Sequence, residues 1–212
     1  MRNRYRSRPS QLVDPLPVVI VFCDYTHTAP RYFVVLKRLI KQKVTLHIRP
    51  APKHGMNPND LLEWAQTELS QFREGDPPDD NSVIAFLLVD LERDAERESA
   101  ACAAKAAEGP DLLVLRSEPC FELCTLLHIE DTGSAFQNCK AVINRIRQVW
   151  PKEYGGTFEN KAQANYQPLL KDMAKAAKRA RKHHEANDPS WTELYCLIEK
   201  VQALTQESQE DC

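Results

Sequence analysis

Two apolar runs constrain this chain most: Val18-Val-Ile-Val-Phe-Cys23 and Val83-Ile-Ala-Phe-Leu-Leu-Val89. A strand with one wet face alternates polar and apolar residues, whereas a continuous apolar, β-branched run is buried on both faces. Strands of that kind belong in a parallel sheet with helices on each side. Each run ends on a carboxylate, Asp24 after the first and Asp90 after the second.

The segments between and after these runs complete the pattern. Pro30 suits the first turn of a helix, and Tyr32, Phe33, Leu36, Leu39 and Ile40 then recur at helical spacing. Val44-Thr-Leu-His-Ile48 alternates and reads as a strand. Asn57 or Asn59 caps a helix carrying Leu61, Leu62, Ala65 and Leu69. Residues 75–81 form a turn-rich loop. An alanine-rich helix from Ala95 to Ala107 stops at Gly109-Pro110, and Leu112-Leu-Val-Leu115 is a fourth strand. The order β-α-β-α-β-α-β predicts an α/β fold, a Rossmann-like three-layer core with a four-stranded, mainly parallel sheet. Everything after Pro119 reads as helical, over residues 120–129, 134–150, 162–184 and 191–206. The expected organisation is a flexible basic arm (1–17), an α/β core (18–132) and a helical C-terminal extension packed on it (133–208).

At 212 residues the chain holds one sizeable core. A net charge of −2 gives no overall attraction to nucleic acid, so any such affinity must come from local patches. No apolar stretch approaches the ~18 residues of a membrane span. No signal-peptide h-region follows the N-terminal arginines. Seven cysteines without framework spacing fit a reducing compartment, so the expected localisation is cytoplasmic. There is no CxxC, and Cys120 and Cys124 lack a second ligand pair, so spacing alone gives no zinc site. GxGxxG after the first strand, GxxxxGK[ST] and GxSxG are absent, which disfavours dinucleotide, P-loop and acyl-transfer chemistry.

In open α/β sheets ligands bind at the carboxyl ends of the strands. Here that edge receives Asp24 from the first strand and Asp90 and Glu92 from the third. Hard oxygen donors of this type suit Mg²⁺ or Mn²⁺. The bland reading is that such acids cap helices or solvate a loop, and Asp94 fits the role of an N-terminal helix charge. On residues 171–184, Lys175, Lys178, Arg179, Arg181 and Lys182 make a basic helical run. It reads as a nucleic-acid contact or as a solvated face.

Three segments carry a resemblance. Val18 to Phe33, an apolar strand followed by Cys-Asp-Tyr-Thr-His-Thr-Ala-Pro-Arg-Tyr-Phe, resembles the opening motif of RloB-like proteins, strand then Cys-Glu-Gly-Glu-Lys-Thr-Glu-Pro-x-Tyr-Phe. Ser117-Glu-Pro-Cys-Phe-Glu-Leu-Cys-Thr-Leu-Leu-His128 is similar to their Ser-Asn-Pro-x-Phe-Glu-x-Trp-x-x-x-His. Asp188 to Glu199 looks like their closing Asn-Pro-x-Thr-x-Val-x-x-Leu-Val-Glu. The resemblance implies a Toprim-related core and a metal-dependent nuclease, or nuclease subunit, of a prokaryotic anti-phage system. Such a protein cleaves phosphodiester bonds in RNA or DNA, with Mg²⁺ or Mn²⁺ as cofactor. Implied partners are nucleic acid and an ATPase or other defence subunit, with homo-oligomerisation left open. It implies Asp24, Asp90 and Glu92 as metal ligands, and Glu122 and His128 as further catalytic residues. The sequence departs from the pattern where the family's Glu is Asp24, its Gly is Tyr25, its next Glu, Lys and Glu are Thr26, His27 and Ala29, its Asp-x-Asp is Asp-x-Glu, and its Asn is Glu118. The alternative these departures raise is a catalytically degenerate Toprim-fold subunit that binds nucleic acid or a partner as a scaffold.

Overall fold

The first apolar run forms strand β1, Val18–Cys23, with every residue buried. The structure is a computed structural model and describes residues 16–24, 28–53, 55–75, 83–155, 158 and 165–210. Residues 1–15 of the basic arm and residues 76–82 lie outside the described residues, as do Tyr25, Thr26 and His27 of the altered motif. Helix α1 (Thr28–Ile40) leads to β2 (Thr45–Pro50). Helix α2 (Pro58–Glu74) then leads to β3 (Val83–Asp90), and α3 (Ala95–Ala106) to β4 (Leu112–Glu118). Helices α4 (Glu122–Ile129), α5 (Cys139–Val149) and α6 (Met173–Glu185) follow, then β5 (Trp191–Thr192) and α7 (Tyr195–Glu210). Among the described residues no helix is long and apolar enough to cross a membrane.

The sheet has the order β2-β1-β3-β4-β5. The first four strands are parallel, and β5 is antiparallel to β4. The expected count of four is corrected to five. The fifth strand pairs Ser117 with Thr192 and Glu118 with Trp191. Two residues at the head of an amphipathic helix are too short a segment for periodicity to separate from it.

Side-chain alternation builds the three layers. Val18, Ile20 and Phe22 face Leu61, Leu62, Ala65 and Leu69 of α2 and Ala101 and Ala104 of α3. Val19, Val21 and Cys23 face the opposite layer, which includes Tyr32, Phe33 and Leu36 of α1, Leu123 and Leu126 of α4 and Leu197 of α7. Both faces of β1 are therefore dry, which is why its sequence has no polar interruption.

Several boundaries move for local reasons. The helix expected over 134–150 begins at Cys139, where the Asn138 side chain accepts the Ala141 N–H at 3.0 Å. The helix expected over 162–184 begins at Met173, after a 3₁₀ turn at Leu169–Asp172. Pro168 has no N–H to give and excludes a regular helix through that point. Asn57, not Asn59, is the cap of α2, accepting the Asn59 N–H at 3.0 Å. Asn57→Ala should cost about 1 kcal/mol of stability in denaturant melts, the usual value of an N-cap.

The outer edge of β4 beyond β5 is closed by side chains. The Glu108 carboxylate accepts the Val114 N–H at 2.6 Å, and Lys105 Nζ donates to the Val114 carbonyl at 2.8 Å. Buried Glu193 accepts the Arg116 N–H at 2.9 Å and pairs with its guanidinium at 2.8 Å.

Candidate functional site

Where strand order reverses, the sheet leaves a crevice at the carboxyl ends. From β1 the chain steps to β2 on one side, while β3 and β4 lie on the other. The reversal thus falls between β1 and β3. Leu88 pairs with Cys23, so the two strands finish side by side. Asp24 and Asp90 flank this point, 4 % and 1 % exposed respectively.

Both oxygens of Asp24 are engaged. Oδ1 accepts the Gly55 N–H at 3.1 Å, and Oδ2 pairs with Arg97 Nη2 at 2.8 Å. Gly55 has φ +72°, a left-handed conformation natural to glycine, and this turn aims its N–H at the acid. Arg97 also donates to the carbonyls of Asp90 and Met56. Its guanidinium therefore ties the ends of β1 and β3 to the start of α3. Sequence reasoning missed Arg97. Its signal is a cation in the first turn of a helix, where the dipole disfavours positive charge unless an acid compensates.

Asp90 turns the other way. Its Oδ1 accepts the Phe121 N–H at 2.9 Å. Burial, followed by the nearby Glu122 carboxylate, pushes the Asp90 carboxyl well above the ordinary carboxylate range. Glu122, at the start of α4 and also buried, accepts the Thr28 hydroxyl on Oε1 at 3.0 Å. The Cys139 thiol lies 3.1 Å from its Oε2. Glu122 thus lies close enough to Asp90 for its charge to raise the Asp90 carboxyl.

The structure does not gather Asp24, Asp90 and Glu92 into one compact ligand set. Among the described residues, the group of three His, Cys, Asp or Glu donor atoms lying within 4.8 Å of one another is Cys120, Glu122 and Cys139. Glu92 is exposed, with φ 59°. It lines an open cleft of about 320 Å³ together with Gly55, Asn57, Asp94, Glu96 and Arg97.

His128 lies six positions along α4 from Glu122, roughly 9 Å of helical rise away. It is interior. Leu169 offers a carbonyl to Nδ1 at 2.9 Å, and a carbonyl only accepts, so Nδ1 carries the proton. Nε2 then accepts from the Tyr32 hydroxyl at 3.0 Å. Burial lowers the His128 pKa to about 4, which keeps the ring neutral.

The basic run of α6 divides in two. Arg179 caps the Leu127 carbonyl at 2.7 Å, Arg181 pairs with Glu185 and Glu199, and Lys182 pairs with Asp131 at 3.0 Å. Lys175 and Lys178 are exposed on the same helix.

Fold and edge together define a doubly wound, mostly parallel α/β protein with buried carboxyl groups at its switch point. The chain belongs to the RloB-like protein family, whose model matches residues 19–201. No curated protein and no solved structure matches it.

Proposed function

We propose that the chain is a Toprim-like, metal-dependent nuclease or nuclease subunit of a prokaryotic anti-phage system, cleaving phosphodiester bonds in RNA or DNA. The observation that carries this reading is the proximity of two buried carboxyl groups, Asp90 at the end of β3 and Glu122 at the start of α4. The Glu122 carboxylate makes ionisation of Asp90 costly, because two like charges in a dry place repel. A divalent cation lets both ionise, and their oxygens are donors of the hard type that Mg²⁺ or Mn²⁺ takes. Asp90 and Glu122 would hold it. When bound, such a cation polarises a phosphate and stabilises attacking and leaving oxygens.

The chain's own residues supply the remainder. Asp24 fixes the Arg97 guanidinium at the wall of the cleft, where a planar cation suits a phosphate oxygen. Thr28 holds Glu122 in one orientation. Exposed Lys175 and Lys178 offer further phosphate contacts, with affinity that falls as salt rises.

The test is calorimetric titration of the native chain and of Asp90→Asn with Mg²⁺ and Mn²⁺, followed by incubation with labelled RNA and DNA. We expect binding heat and chelator-sensitive cleavage in the native chain and neither in the variant. Asn preserves the acceptor for the Phe121 N–H, so loss of both does not stem from that bond. Native protein that binds no cation and cleaves no substrate sinks this reading. A second reading, the degenerate scaffold, is favoured by one observation: both Asp24 oxygens are already satisfied by Gly55 and Arg97. It expects retention of nucleic acid without cleavage.

A further inference from the structure

Three separate positions bring two thiols to one carboxylate. Cys120 precedes α4, Glu122 opens it, and Cys139 opens α5. Their donor atoms lie within 4.8 Å of one another. Cys120 and Glu122 are buried while Cys139 is half-buried, so solvent approaches the group on the Cys139 side. The two oxygens of Glu122 are not equivalent. Oε1 accepts the Thr28 hydroxyl at 3.0 Å, and Oε2 lies 3.1 Å from Cys139 Sγ. An outer hydrogen bond that fixes one oxygen and leaves the other directed at neighbouring donors is the usual support of a ligating carboxylate.

We propose that Cys120, Glu122 and Cys139 bind a thiophilic divalent cation of the zinc class, through two thiolates and Glu122 Oε2, with a fourth position open to water. With Zn–S near 2.3 Å and Zn–O near 2.0–2.2 Å, the ligand atoms of a tetrahedral site stand roughly 3.5–4 Å apart. The observed atoms all lie within 4.8 Å of one another, with Cys139 Sγ 3.1 Å from Glu122 Oε2, so small side-chain shifts bring the group to that spacing. Ligation releases the two thiol protons to solvent. Two thiolates and a carboxylate in a mostly buried site require a cation, and soft sulfur donors select zinc over Mg²⁺. The site shares Glu122 with the centre proposed above and otherwise stands independently of phosphodiester cleavage.

The test uses the full chain, reduced and stripped of metal under inert gas, then titrated with Co²⁺ and afterwards Zn²⁺. About one equivalent of Co²⁺ should produce thiolate-to-cobalt charge-transfer absorption, and Zn²⁺ should bleach it. Cys139→Ser, at a half-buried position and with a native circular dichroism spectrum, should lose the absorption. Cys102→Ser, at an exposed thiol remote in sequence, should keep it. Asp90→Asn should keep it too, even where cleavage is lost, which separates failure of the nuclease reading from failure of this one. Absence of the band in the reduced native chain, or its survival in Cys139→Ser, overturns the proposal. So does a Cys120–Cys139 disulfide that persists under thiol reductant.

Discussion

Arg97→Ala should destabilise the protein by about 3–5 kcal/mol, because it strands a buried carboxylate without its cation. Asp24 and Arg97 side chains are only 3 % and 13 % exposed, so solvent screens the pair little. The same substitution leaves the Asp90 and Met56 carbonyls without their guanidinium donor. For a chain of this size the thermal midpoint should fall by on the order of 10 °C. Adding Asp24→Asn should recover much of the loss, since the stranded charge is then gone. Arg97→Lys should recover less, because a single ammonium cannot reproduce the fork that reaches three acceptors. A melting curve for Arg97→Ala within about 1 kcal/mol of native would remove the pair from any account of how β1, β3 and α3 are joined. If Mg²⁺ selectively stabilises Arg97→Ala, Asp24 becomes a cation ligand once its internal partner is removed.

His128 should make stability acid-labile over a defined window. Its folded pKa is about 4, below the ordinary 6.5. Above pH 6.5 the ring is neutral in both folded and unfolded chains, and its contribution is fully present. As pH falls from about 6.5 to about 4, the unfolded chain binds a proton that the folded one refuses, so stability declines with pH. The full span corresponds to roughly 3 kcal/mol, from 1.36 kcal/mol per unit. Asp90 acts in the opposite sense, since a carboxyl raised in the fold favours folding at low pH. The clean measurement is therefore the difference between native and His128→Gln in denaturant titrations at pH 7 and pH 4.5. The native chain should lose more stability than the variant between those values. Parallel losses would mean that the ring protonates in place or is solvated.

The parallel core was legible because a strand buried on both faces cannot tolerate a polar residue, so β1 and β3 announce themselves in the composition of a few consecutive positions. The acids at their ends were legible for the same reason, as the first polar groups after a dry run. The destination of those acids was not. Asp24 pairs with Arg97 and Glu122 with Thr28, 73 and 94 residues away in sequence. Nothing local in the chain marks either contact. Helix α4 hid its site residues differently. It is buried from Glu122 to His128, so no hydrophobic stripe tells which side chain faces which neighbour. The thiol pair was missed because it is assembled by tertiary structure rather than by a short Cys-x-x-Cys spacing. The fifth strand escaped because it is two residues long.

The side chains that close β4 have a consequence for the behaviour of many copies together. An uncovered strand edge is a template on which a second chain can add hydrogen bonds and begin a fibre. Here Glu108, Lys105 and Glu193 occupy donors and acceptors of Val114 and Arg116 that an incoming strand would need. Any intruder must first displace these charged groups, whose buried member, Glu193, has no water to retreat into. The side-chain seal opposes edge-to-edge polymerisation of the folded chain, the hazard that grows fastest when a protein accumulates to high local concentration.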